Sequence, residues 1–235
     1  MPSYHDRGVV LRTTKLGESD RIIAILTEEH GQVRAVAKGV RKTTSKFGGR
    51  LEPASHVVVM CWKGRDLDIV QQVQVIDAFR AIKEDLSRLA AAAAVLELSA
   101  KLSSEGNPDP ALYRMLVGAL AVIEKDNPPL VKAGFYLKSL ALEGSSPVVD
   151  ACVRCGDGDE LVAFDMGQGG LLCRKCRSGT PVSPEAISAM RFVLGGRLAE
   201  ALGAVAEPVA GEVEALSRQA VEYYLGTRLR ARSLD

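Results

Sequence analysis

Four cysteines stand in two closely spaced pairs, and their spacing could bind a metal ion. Two residues separate the cysteines within each pair, and seventeen residues separate the pairs, which are Cys152, Cys155, Cys173 and Cys176. A two-residue spacing lets a tight turn aim both sulfurs at one point, and a second pair completes a tetrahedron. The sequence therefore predicts one Zn²⁺ per chain, held by four thiolates.

Two disulfides or a redox-active pair would use the same cysteines. The chain starts without an apolar signal segment, which favours a reducing, cytoplasmic location and argues against disulfides. Neither pair opens a helix of a βαβ unit, as a redox motif would. A catalytic zinc keeps an open position, usually with His or Glu among its ligands, and no histidine is near in sequence. We therefore expect a closed, structural site.

A second group of residues could bind phosphates. Between Gly31 and Leu51 the chain has no acidic residue and six cations, namely Arg34, Lys38, Arg41, Lys42, Lys46 and Arg50. The last four lie in a polar, glycine-containing stretch, residues 39–53, which we call the basic loop. Such a loop can follow a phosphate backbone, although charged runs are usually solvated surface. Phosphate binding is favoured because the chain elsewhere mixes its charges.

Aromatic platforms for base stacking are scarce in this part of the chain. Phe47 is the aromatic residue inside the basic loop, and we expect Trp62, which ends a strand, in the core or on its rim. Binding should therefore rest on charge, with little sequence preference. If all six cations touched phosphates of one single strand, the log–log salt slope would reach roughly −4.

The charge balance differs along the chain of 235 residues, whose net charge is only +1. Residues 1–80 carry 13 Lys and Arg against 9 Asp and Glu, whereas the remainder carries 17 against 20. The cations are thus concentrated where the basic loop lies. An apolar content of 47% is ample for a core, and no apolar run is long enough to span a membrane.

The first eighty residues read as five short strands without an intervening helix. Apolar and β-branched runs predict strands over 7–13, 21–27, 32–38, 56–62 and 67–76. Five strands of this length are typical of the OB-fold barrel, which binds nucleic acids. We expect residues 1–80 to form this domain.

The rest of the chain reads as helices, so the fold class is α+β with an α-helical domain over residues 81–235. Helix starts are predicted at Asp109-Pro110, after Asn127 and at Ser183-Pro184, and a last helix over 212–228. The cysteines fall between these helices, with short strands predicted at 161–164 and 170–172. Residues 150–178 are therefore an inserted zinc module, which we call the cysteine module.

Several motifs together resemble the RecO family of bacterial DNA repair proteins. They are Gly-Glu-Ser-Asp at 17–20, Ala-Lys-Gly-Val-Arg-Lys at 37–42, and Gly-Arg-Leu-Glu-Pro at 49–53. The order of barrel, helical domain and four-cysteine module also agrees with that family. The resemblance covers essentially the whole chain.

The resemblance implies a non-enzymatic recombination mediator of the RecF pathway, acting at the nucleoid in the cytoplasm. Such a protein binds single- and double-stranded DNA and anneals complementary strands. With its partner RecR it helps RecA to load onto strands coated by single-stranded DNA-binding protein, whose C-terminal tail it contacts. Lys38, Arg41, Lys42 and Lys46 match the family's basic motif, whereas Arg34 and Arg50 rest on charge alone. Two other classes stay open: a zinc-dependent nucleic-acid enzyme, and an interaction scaffold that never touches DNA.

Overall fold

The structure is a computed structural model that describes residues 3–231. These residues form two compact units. One holds the chain up to Lys125 together with Ala231, and the other holds Asp126–Arg230. Among the described helices, none is long and apolar enough to cross a membrane.

Five strands close into a barrel in the first unit, as predicted. They are β1 (Ser3–Leu16), β2 (Asp20–Thr27), β3 (Gly31–Ala37), β4 (His56–Trp62) and β5 (Asp68–Asp77). Their order around the barrel is β1-β2-β3-β5-β4. Every pairing is antiparallel except that of β3 with β5, which joins the barrel through two residue pairs only. The alternation of buried and half-buried residues along β3 matches the period of two on which its prediction rested.

Three helices follow the barrel, and the second and third of them pack on the outside of it. They are α1 (Arg80–Glu84), α2 (Leu86–Leu102) and α3 (Pro110–Lys125). Both α2 and α3 contact β1, and α3 also contacts β2. The outward side chains Val9, Ala24 and Leu26 are buried as a result. This compact unit therefore extends past residue 80, where the predicted OB-fold domain ends, because the helices complete the burial of the strands.

The second unit combines four helices with a small sheet. The helices are α4 (Val131–Leu142), α5 (Pro184–Leu194), α6 (Leu198–Ala204) and α7 (Val209–Leu225). The sheet consists of β6 (Leu161–Asp165), β7 (Gly170–Cys173) and β8 (Thr180–Pro181), in the order β7-β6-β8. Ser183 caps α5 through its side chain, as predicted. Helix α7 ends earlier than the predicted residue 228, because Gly226 adopts a left-handed conformation with φ +63°.

The cysteine module shares one hydrophobic core with these helices. Phe164 and Leu172 of its hairpin are buried in the same cluster as Leu137 of α4, Met190 of α5 and Leu216 of α7. Cys152 and Cys173 also belong to this cluster. The module therefore contributes buried side chains to the hydrophobic core of the second unit.

Candidate functional site

The four cysteine sulfurs converge on one point in the second unit. All four Sγ atoms lie within 4.8 Å of one another, and those of Cys155 and Cys173 are 3.7 Å apart. A tetrahedral site with metal–sulfur bonds of ~2.3 Å has edges of about 3.8 Å. All four residues are free cysteines. The arrangement is that of a four-thiolate metal site.

Two tight turns place the sulfurs. In the first, the Gly156 amide donates to the Cys152 carbonyl at 2.8 Å, and the Cys152 amide donates to the Asp157 carbonyl at 2.7 Å. Gly156 has φ +78°, a conformation that disfavours residues with a side chain. In the second turn, the Cys176 amide donates to the Cys173 carbonyl at 3.1 Å. Since β7 ends at Cys173 and pairs with Leu161 of β6, the hairpin fixes the second turn.

The thiols differ in acidity because their surroundings differ. Burial acts to raise the pKa of Cys152, but backbone amides of Cys173, Cys155 and Arg154 outweigh it and lower this pKa to about 6. Burial and the neighbouring thiols raise the pKa of Cys176 to about 12. Four thiolates this close require a compensating cation, and a divalent ion supplies it. A soft, all-sulfur donor set of four cysteines suits Zn²⁺.

The basic loop in the first unit is anchored at several points. Its Phe47 is 2% exposed and its Leu51 is 1% exposed, and both belong to the barrel core. Phe47 is therefore not available as a stacking platform. At the start of the loop, Asp20 accepts from the Gly39 amide at 2.7 Å, and the Arg41 amide donates to the Ser19 carbonyl at 2.9 Å. Gly39 has φ +66° at this turn.

The carboxylate of Asp20 organises this turn. The Gly39 amide first, then the Ser19 hydroxyl, and then the charges of Lys38 and Lys42 lower the pKa of Asp20. The carboxyl group is therefore ionised at neutral pH, and its negative charge partly offsets those of Lys38 and Lys42.

Five of the six predicted cations are exposed, and the structure places them in two groups. Arg41 donates to the carbonyls of Gly17 and Glu18 beside the β1–β2 turn, close to Lys38 and Lys42. Lys46 donates to the Gln71 carbonyl on β5 at 3.0 Å. Arg50 donates to the Lys46 carbonyl at 3.1 Å. The loop thus presents cations along its whole course.

Arg34 differs from the other five. It lies on β3 outside the basic loop, is half-buried, and pairs with Glu105 at 3.4 Å. Glu105 belongs to the connection between α2 and α3, which also pairs with the start of β3. Among the six predicted cations, Arg34 is therefore the one for which the described residues provide an ion pair with a carboxylate.

Two groups of exposed charges or rings were missed by the sequence reasoning. The β4–β5 connection carries Lys63 and Arg65 beside Trp62, whose side chain is 46% exposed. The turns of the cysteine module carry further exposed cations, namely Arg154, Arg174, Lys175 and Arg177. The run Cys-Arg-Lys-Cys-Arg at 173–177 was a visible signal of the second group.

Two family models match this chain, one over the barrel and one over the part that contains the cysteines. The model of the N-terminal part of recombination protein O matches residues 1–79. The model of its C-terminal part matches residues 83–233. The first match ends where the barrel ends, and the second contains all four cysteines.

Proposed function

Because the chain belongs to the recombination protein O (RecO) family of DNA repair and recombination proteins, we propose that its basic loop, together with Lys38 just before it, binds DNA and brings complementary strands together for annealing. The proposed contacts are Lys38, Arg41, Lys42, Lys46 and Arg50, with Arg34 as a weaker sixth. The helical unit holds a structural Zn²⁺ through Cys152, Cys155, Cys173 and Cys176. The protein acts as a mediator, without catalytic residues, in the cytoplasm at the nucleoid.

The observation that carries this proposal is the set of exposed cations on an anchored loop of a closed barrel. Among the described residues, the loop cations form no ion pair with a carboxylate, whereas Arg34 does. The hydrogen bonds of Arg41, Lys46 and Arg50 go to backbone carbonyls, which do not neutralise these charges. The Asp20 carboxylate partly offsets Lys38 and Lys42. Uncompensated charges release counterions from DNA when they contact phosphates, which is the main source of affinity without sequence preference.

Annealing needs such a surface because two polyanions repel each other. Cations on the loop lower that repulsion and raise the local concentration of strands. Contacts to phosphates carry no sequence information, so a strand can shift its register until base pairing takes over. Backbone anchors at Gly17, Glu18 and Gln71 hold the cations in place while the strands move.

The proposed partners follow from the family. They are single- and double-stranded DNA, RecR, and the C-terminal tail of single-stranded DNA-binding protein, with RecA loading as the outcome. The zinc ion supplies charge compensation and fixes two turns of the helical core. Since four sulfurs lie within 4.8 Å of one another, the chain supplies the four donors that a closed zinc site needs.

The test removes the charges together. Glutamine at Lys38, Arg41, Lys42 and Lys46 should weaken binding of a single-stranded oligonucleotide and lower the log–log salt slope by about 3. The matched control replaces Arg154, Arg174, Lys175 and Arg177 with glutamine, which makes the same change in net charge on the other unit. Unchanged affinity at low salt in the folded first variant would contradict the proposal. Annealing of strands coated by single-stranded DNA-binding protein, with and without the chain, tests the mediator role.

The two alternative classes make different predictions. A zinc-dependent enzyme would turn over DNA or RNA and lose turnover on chelation. A scaffold that never touches DNA would give no gel shift with an oligonucleotide at low salt. The exposed loop cations favour the DNA-binding mediator over both.

A further inference from the structure

The outer face of β4 and its two neighbouring strands combines an exposed indole with uncharged polar residues. Trp62 is 46% exposed, whereas Cys61 beside it is fully buried, so the indole points away from the barrel core. Trp62 lies opposite Ser3 of β1 and Ile69 of β5. Two residues earlier on the same face, Met60 lies opposite His5 and Gln72. We call these six residues the Trp62 face.

The basic loop lies at one edge of this face. Lys46 and Arg50 line a shallow cleft with Met60 and Gln72. Lys46 is fixed there by its bond to the Gln71 carbonyl. From this cleft to Trp62 is a step of two residues along β4, about 7 Å. A strand held by its phosphates at Lys46 and Arg50 can therefore extend over β4 and reach the indole.

Exposed cations also lie at the other edge of the Trp62 face. Lys63 and Arg65 follow Trp62 directly, and both are exposed. Asp66 and Asp68 line the same cleft as these two cations and offset their charge, and none of the six residues of the Trp62 face is acidic. Cations at both edges of an aromatic ring are the arrangement by which proteins bind single strands, with phosphates on the cations and a base on the ring.

We propose that Trp62 is a base-stacking platform for a single strand that enters from Lys46 and Arg50. This inference rests on the proposed DNA binding by the basic loop and adds a contact that distinguishes single from double strands. In a duplex the base faces are covered by their neighbours, so only an unpaired base can stack on the indole. Trp62 thereby holds a strand with a base turned out while the basic loop holds its phosphates.

The chain offers a direct optical readout, because Trp62 is its only tryptophan. Titration of the full chain with an unlabelled oligothymidylate should quench Trp62 emission. The oligonucleotide concentration at half-maximal quenching should equal the midpoint of a binding curve measured by sedimentation. An abasic oligonucleotide of equal length should bind but leave the emission unchanged, and so should a blunt duplex. Binding of the oligothymidylate without quenching would overturn the proposal. Absence of binding by every ligand would instead overturn the proposed function, and the stacking with it.

Substitution gives an independent measurement. Trp62→Ala should weaken single-strand binding about tenfold, within the range expected for loss of one stacked base. The salt slope should stay the same, because no phosphate contact is lost. Trp62→Phe should recover most of the affinity. Tyr223→Ala, which removes a ring that is 63% exposed in the other unit, is the matched control and should change nothing.

A merely structural role of Trp62 predicts a different pattern. If Trp62→Ala acted by distorting the barrel, affinities for the abasic strand and for the duplex would fall as much as that for the oligothymidylate. That result, or an unchanged affinity for the oligothymidylate, would overturn the stacking role. A thermal melt of each variant confirms that the barrel is folded.

Discussion

The cysteine module and the basic loop are both loop-rich segments, yet they are stabilised in opposite ways. The module turns its functional groups inward: two of its sulfurs are buried, and all four point at one another. The basic loop turns apolar Phe47 and Leu51 inward and its charges outward. A metal ion can replace packing where donors converge, whereas exposed charges need a packed anchor to hold them. The first region gathers its donors at one point inside the fold, whereas the second presents its charges to solvent, where a ligand has access to them.

The largest effect is expected from loss of a metal ligand. Cys173→Ser should abolish zinc binding and destabilise the whole Asp126–Arg230 unit, because Cys173 lies in the core that α4, α5 and α7 share. Zinc sites of this type contribute about 10–16 kcal/mol to the folding of isolated fingers. Hydrogen exchange should show loss of protection across residues 150–178 first, and little change in the barrel.

Cys61→Ser is the control for this prediction. Cys61 is buried in the barrel core and takes no part in the cysteine cluster, so zinc stoichiometry should stay at one. Full protection of residues 150–178 in a metal-free sample would show that packing alone holds the module, and the contrast between the two regions would fail.

A smaller effect is expected from single charges. Lys42→Gln should lower the log–log salt slope of single-strand binding by about 0.7, because one phosphate contact is lost. Arg34→Gln should lower it less, since Glu105 already compensates Arg34. Glu105→Gln frees Arg34 and should strengthen binding. Equal slopes for the Lys42 and Arg34 variants would show that ion pairing does not rank these cations.

The smallest effect is expected from acidification. His56 of β4 contacts the Tyr113 hydroxyl of α3 at 2.8 Å, and burial lowers its pKa below 6.5, against the opposing charge of Asp77. The neutral ring is therefore favoured by folding, and its contribution to stability is complete above pH 6.5 and is lost as pH falls toward the folded-state pKa. Thermal melting between pH 5 and 7.5 should show this slope, and His56→Gln should reduce it. All three histidines lie in the first unit, so the part of the pH dependence that His56→Gln removes should appear in hydrogen exchange of that unit.

Much of the fold could be predicted because its signals are local. The period of two in β3, the helix caps Asp109 and Ser183, and the spacing of the cysteines each involve residues that are close together in sequence. The structure confirms these elements, with Asp109 accepting from the amides of Ala111 and Leu112. The convergence of the sulfurs also follows from local turns, since each pair fixes its own geometry.

The remainder depends on contacts between distant residues. Glu105, the partner of Arg34, is 71 residues away in sequence. The burial of Phe47 inside a polar loop depends on the space left in the barrel core, and the exposure of Trp62 depends on the end of β4 being left uncovered. The sequence pattern of α2 and α3 does not reveal that these helices pack on the barrel. Composition therefore limits the candidate DNA-contacting cations to a small set, and the fold is needed to rank them by exposure and ion pairing.

The burial of Phe47 and Leu51 has a thermodynamic consequence for the loop. A loop that is already ordered loses little conformational entropy when it binds a ligand. DNA association should then resemble docking of a preformed surface, driven by the entropy of released counterions and accompanied by a small change in heat capacity. If the loop binds DNA as proposed, two buried apolar side chains would in this way influence the affinity of the cations beside them.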